Sequence, residues 1–128
     1  MRRLKSCNPV IGCLLSLLAG CGGSQPDGSQ FQHDEAAKLF LQAMQIRETD
    51  QARSLELLNQ SIEARPSHNA YYHRAWIFAL RGEDQKASAD VEAGLKLEPE
   101  SKDLKWLEAE LRKPPQERKL DKPPTTVK

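Results

Sequence analysis

The sequence predicts an all-α protein: a short α-solenoid of two helix pairs closed by a single C-terminal helix. Three observations carry this reading. Apolar residues recur at helical spacing from about residue 32 to 112. Proline falls between those stretches and never inside them. Ser54, Leu58, Ser61 and Pro66 recur 33 residues later as Ala87, Val91, Gly94 and Pro99, and a fixed period of this length marks a repeat architecture.

Composition sets the bounds. The 128 residues suffice for one small domain, and a mean hydropathy of −0.66 fits a soluble body with a modest core. The net charge of +1 mixes unlike segments. Residues 31–111 hold 10 basic and 15 acidic side chains, whereas residues 112–128 hold 6 basic and 2 acidic. An acidic body with a basic tail lacks the basic folded face that nucleic acid needs, so no nucleic-acid partner is expected.

The chain opens with a leader. Arg2, Arg3 and Lys5 precede an apolar run from Val10 to Ala19, which is too short to span a bilayer. Leu18-Ala19-Gly20-Cys21 follows. This order resembles the lipobox of bacterial lipoproteins. The resemblance implies that residues 1–20 are a signal peptide, cleaved between Gly20 and Cys21. The Cys21 thiol would carry the lipid, palmitate-type acylation included. The Arg2-Arg3 pair suggests twin-arginine export, but the rest of that motif is absent. Cys7 and Cys13 would leave with the leader, so Cys21 would be the only cysteine of the mature chain and no intrachain disulfide could form. Residues 21–30 then read as the lipidated cysteine and a flexible Gly/Ser/Gln tether. In enterobacterial lipoproteins an Asp after the cysteine favours the inner membrane. Gly22 therefore implies an outer-membrane anchor facing the periplasm, if the source has two membranes.

Helices are expected at about 32–48, 51–64, 68–81, 84–97 and 101–112. Gly82 suits the left-handed residue that ends a helix, and Asp84 can cap the next one. The second pair carries Tyr71, Arg74-Ala75, Phe78, Ala87, Val91 and Pro99. It resembles a tetratricopeptide repeat, whose signature sets large, Leu-Gly, aromatic, Ala, aromatic and Pro residues at these spacings. The first pair repeats the pattern with Leu39, Gln42-Ala43, Ile46, Ser54, Leu58, Ser61 and Pro66. The copies cover about 35–67 and 68–100 of a domain spanning 31–112. Small residues at 75, 87 and 94 are expected where helices cross. Leu104, Leu107 and Leu111 follow Tyr71, Arg74 and Phe78 by 33 and would close the open end as a cap at 101–112. Lys102, Lys105 and Glu108 would face water, and Trp106 would pack beside helix 84–97 or mark a contact. Residues 113–128, with two Pro-Pro pairs, read as a basic disordered tail.

No catalytic constellation is present. There is no Gly-x-Ser-x-Gly, no phosphate-binding glycine loop and no His-Glu-x-x-His. His33, His68 and His73 read as surface or capping residues, with no metal site and no cofactor. The expectation is therefore a non-enzymatic, membrane-anchored envelope lipoprotein that binds another protein. The resemblance implies an adaptor in envelope or appendage assembly, of the kind that serves as a secretin pilotin, an assembly-machine part or a partner of peptidoglycan enzymes. The alternative is a structural lipoprotein that self-associates into a helical dimer. By the same resemblance the first helix of each pair lines a concave groove. Its lining would be Phe40, Met44 and Arg47 in the first repeat and Asn69, Tyr72, Trp76 and Leu80 in the second. Tyr72 and Trp76 could instead fill the crease against helix 32–48 or 101–112.

Overall fold

The computed structural model describes residues 28–121. Among them five α-helices follow one another with no strand: α1 Gly28–Ile46, α2 Gln51–Ala64, α3 His68–Leu80, α4 Asp84–Leu97 and α5 Lys102–Leu111. A 3-10 turn, Pro115–Glu117, comes after them. Residues 1–27, which include the expected leader with Gly20, Cys21 and Gly22, and the residues beyond Asp121 lie outside the described residues.

Local chemistry sets the boundaries. Asp50, Ser67 and Ser101 cap α2, α3 and α5, each side chain accepting from the backbone N–H three residues on. Arg65 is extended at the end of α2, as a residue before proline prefers. Gly82 takes φ +73°. It closes α3 with two bonds, from Gly82 N–H to the Ala79 carbonyl and from Glu83 N–H to the Phe78 carbonyl. A residue with a Cβ would be strained there.

The helices pack as pairs in sequence. α1 lies on α2 and α3 on α4, while α2 touches α3, α4 touches α5, and α3 reaches α5 directly. This is the expected short solenoid. Its core divides in two around α3. Ala43, Leu55, Leu57, Leu58, Ile62, Ala70 and Ile77 pack among α1, α2 and α3. Tyr72, Ala75, Ala79, Ala87, Val91, Leu104 and Leu107 pack among α3, α4 and α5. α3 therefore serves two cores at once, which explains why it is apolar on more than one side. Ala43, Ala75 and Ala87 are fully buried at the crossings. Gly94 faces Leu104 and Tyr71, where an added Cβ would lie 2.7 Å from Leu104 Cδ1.

α2 uses serine where α4 uses Ala87 and Gly94. The buried hydroxyls of Ser54 and Ser61 donate to the α1 carbonyls of Ala43 and Ala36, at 2.9 and 2.8 Å. Each carbonyl has a second lone pair free for this. A bidentate ion pair spans α3 and α4. Arg74 Nε and Nη2 donate to Asp90 Oδ2 and Oδ1 at 2.8 and 2.6 Å, and Nη1 donates to Asn59 Oδ1 at 2.8 Å.

Three expectations need correction. The tether does not extend through Gln30, because α1 already begins at Gly28, and no proline between Gly28 and Phe31 opposes helix there. Asp84 does not cap α4. It is the first helical residue, Glu83 holds the cap position without a side-chain bond, and the Asp84 carboxylate faces Arg118 instead. The tail is not free from Lys113 onward, since residues 113–121 turn back over α3, α4 and α5 through the contacts described below.

Candidate functional site

Side chains of α1, of the turn that follows it and of α3 meet along one seam. The Arg47 guanidinium stacks over the Trp76 ring at 4.5 Å. Phe40 and His73 have ring centroids 5.5 Å apart, and Tyr72 meets His73 edge-on at 4.9 Å. Arg47 Nη1 lies 3.2 Å from His73 Nδ1. Arginine can only donate, so Nδ1 accepts and the imidazole is neutral with its proton on Nε2. Burial and the adjacent Arg47 charge agree, bringing the His73 pKa down from 6.5 to about 4. Burial, then the Asp103 carboxylate, raises the Tyr72 phenol to about 12 against the opposing pull of Arg47. Arg47 Nε is buried and makes no hydrogen bond.

The C-terminal segment lies across the same region. Arg118, only 7% exposed, forms a fork with Asp84: Nη1 to Oδ1 at 2.7 Å and Nη2 to Oδ2 at 2.9 Å. It also donates to the carbonyls of Lys113 and Leu111. The bond from Arg118 holds Asp84 below the usual carboxylate range. Glu110, at the end of α5, accepts from Lys113 Nζ and from the Lys119 backbone N–H at 2.9 Å, and both bonds lower its pKa. Trp76 Nε1 donates to the Leu120 carbonyl at 2.9 Å, and the Leu120 side chain packs against the second core.

The seven expected groove residues do not form one surface. Phe40, Arg47 and Trp76 come together at the seam with His73 between them. Met44 is half-buried against the first core. Tyr72 is 7% exposed and belongs to the second core, so it follows the crease reading; α5 stands where an open groove would leave it exposed. Asn69 and Leu80 are exposed at opposite ends of α3. Asn69 lines a cavity of about 390 Å³ with His33, Ala36, Phe40, Ser67 and His68.

Sequence reasoning missed His73, Arg118 and Leu120. His73 is not a surface residue. Its flanking aromatic Tyr72 and the apolar character of α3 on two sides were the available signal. Leu120 is the one large apolar residue between Leu111 and Val127, in a stretch otherwise charged, polar or proline. Such an isolated anchor is what a docking segment carries. Among the described residues, no group of three His, Cys, Asp or Glu could hold a metal ion, and no helix is long and apolar enough to cross a membrane. No protein-family model matches this chain, and no curated protein or solved structure shows detectable similarity to it.

Proposed function

We propose that this domain is a protein-interaction module whose α1–α3–α5 side holds an extended peptide. One observation carries the reading: the Trp76 indole, backed by Arg47, donates to a main-chain carbonyl of a segment outside the five helices. The seam therefore already accommodates a peptide backbone. Aromatic residues and arginine dominate binding hot spots, and Trp76 and Arg47 are stacked on one another. The exposed Asn69 and the neighbouring cavity extend the surface along α3. On this reading the chain is not an enzyme. It is an adaptor of the tetratricopeptide-repeat kind, tied to the cell envelope through acylated Cys21 and, if the source has two membranes, facing the periplasm. Crosslinked capture from envelope with Trp76→Phe, which removes the indole donor but keeps a ring between the two cores, tests it. Capture should fall while helicity and melting temperature stay near the parent values. Capture at parent levels contradicts the reading.

A second reading, self-association, has its own observation. Among the described residues α5 has no pairing helix on its outer side, and an open cleft of about 480 Å³ lies between α4 and α5, with Val91, Leu95 and Leu111 on its walls. Light scattering on the soluble domain separates the two readings: a dimer favours this cleft, a monomer the peptide groove.

A further inference from the structure

The segment 118–121 is held as a bound peptide would be held. Two of its bonds are main-chain. Lys119 N–H donates to the Glu110 carboxylate, and the Leu120 carbonyl accepts from Trp76 Nε1. These bonds fix an extended backbone without reading sequence. Two side chains provide the reading. Arg118 enters the Asp84 fork and the Leu111 carbonyl, and Leu120 enters the apolar region around Trp76. Apart from the Lys113 carbonyl, which takes Arg118 Nε from within the same C-terminal stretch, the receiving groups belong to the helical body: Trp76 to α3, Asp84 to α4, Glu110 and Leu111 to α5. The segment itself follows two prolines and a single 3-10 turn, and it makes no helix or strand of its own. Charge fits as well, since the segment belongs to the basic end of the chain and the body is acidic.

We propose that residues 118–121 are a built-in occupant of the peptide groove, and that the groove's external ligand is an extended peptide repeating their chemistry, an arginine followed two residues later by leucine or a similar aliphatic. This rests on the reading of the α1–α3–α5 side as a peptide site. The arginine takes the Asp84 fork, the aliphatic takes the Leu120 position, and the intervening residue supplies only its N–H. A tethered occupant competes at an effective concentration of order millimolar. The apparent affinity for an external peptide therefore falls by the fraction of chains in which the groove is open. The segment acts as a gate that only a partner with matching anchors, or one present at high local concentration, displaces.

The test uses a fluorescent, end-capped peptide with this chain's residues 117–121 and reads anisotropy on the full chain. A full chain carrying Arg118→Ser and Leu120→Ser frees the groove. It should bind the peptide at least about tenfold more tightly than the parent chain. Replacing the peptide's arginine or leucine by alanine should abolish that gain, and adding Trp76→Phe to the chain should weaken binding again. Should the double variant lose helicity by circular dichroism, the single Arg118→Lys chain keeps the charge, loses the fork and makes the same comparison. Equal binding by parent and freed chains overturns the proposal. If the freed chain ignores this peptide but takes unrelated peptides in a Trp76-dependent way, the groove stands and the built-in occupant does not. If the freed chain binds no peptide at all, both readings fall.

Discussion

Replacing Arg74 by methionine should cost the fold about 3 kcal/mol, because of what it leaves behind. Asp90 is only 5% exposed, and both its carboxylate oxygens receive donors from Arg74. Methionine keeps the aliphatic length but no donor, so a buried carboxylate loses its partner. Breaking a buried pair in this way costs about 3–5 kcal/mol. The Arg74 side chain is 20% exposed, so water reaches one side of the pair and the lower end applies. A domain of this size loses about 4–8 °C of melting temperature per kcal/mol, so Tm should fall by about 12 °C or more. The double variant Arg74→Met/Asp90→Leu removes the charge together with its partner. It should recover most of the loss, since an apolar pair replaces a buried ion pair at little cost. The assay is urea and thermal unfolding of the parent, both single variants and the double. A loss below about 1 kcal/mol in Arg74→Met, or a double variant no more stable than the single, would refute the buried-pair argument.

Other outcomes follow from the same packing. His73 is neutral in the fold with a pKa near 4 against 6.5 when unfolded, so its contribution is complete above pH 6.5 and is lost as pH falls toward 4. The loss amounts to about 3 kcal/mol; His73→Leu should flatten that part of the stability profile, and a profile unchanged by the substitution contradicts the seam geometry. Gly94→Ala gains about 1 kcal/mol of helix propensity, but its Cβ meets fully buried Leu104 at 2.7 Å and Tyr71 Cβ at 3.3 Å. Overpacking of about 1–3 kcal/mol should win, and a higher melting temperature would show that α5 sits further from α4. Cys21→Ala should leave a longer, unlipidated precursor, because acylation at this residue is the proposed anchor; mass spectrometry finding the mature, acylated form in that variant would remove the lipoprotein reading.

Much of the fold was legible because the repeat is written in residues with single physical jobs. Pro66 and Pro99 stop helices, Gly82 supplies the left-handed turn, and Ala43, Ala75 and Ala87 lie at the crossings with no exposure. α2, α3 and α4 accordingly fall within a residue of their expected bounds. The site was less legible because it depends on long-range partners. Asp84 is a good capping residue by type, yet a guanidinium 34 residues away takes its carboxylate. Tyr72 and Trp76 share a helix face, but α5 covers the first while Arg47 and Leu120 bracket the second. A Pro-rich, charged composition is ordinarily that of a solvated tail. The Arg118 side chain, the Glu110 carboxylate and Leu120 bring its first nine residues, 113–121, onto the body.

The central claim is that partners dock on the side shared by α1, α3 and α5, and the most direct measurement is site-specific photocrosslinking in cells. A photoreactive residue is placed at Asn69 or Leu80, exposed on α3, and in parallel at Gln60 or Lys96, exposed on α2 and α4. The account predicts discrete adducts from positions 69 and 80 that weaken when Trp76→Phe removes the indole donor, and none from 60 or 96. Adducts arising from 60 or 96, and not from 69 or 80, would place the interaction on the opposite helices and contradict it.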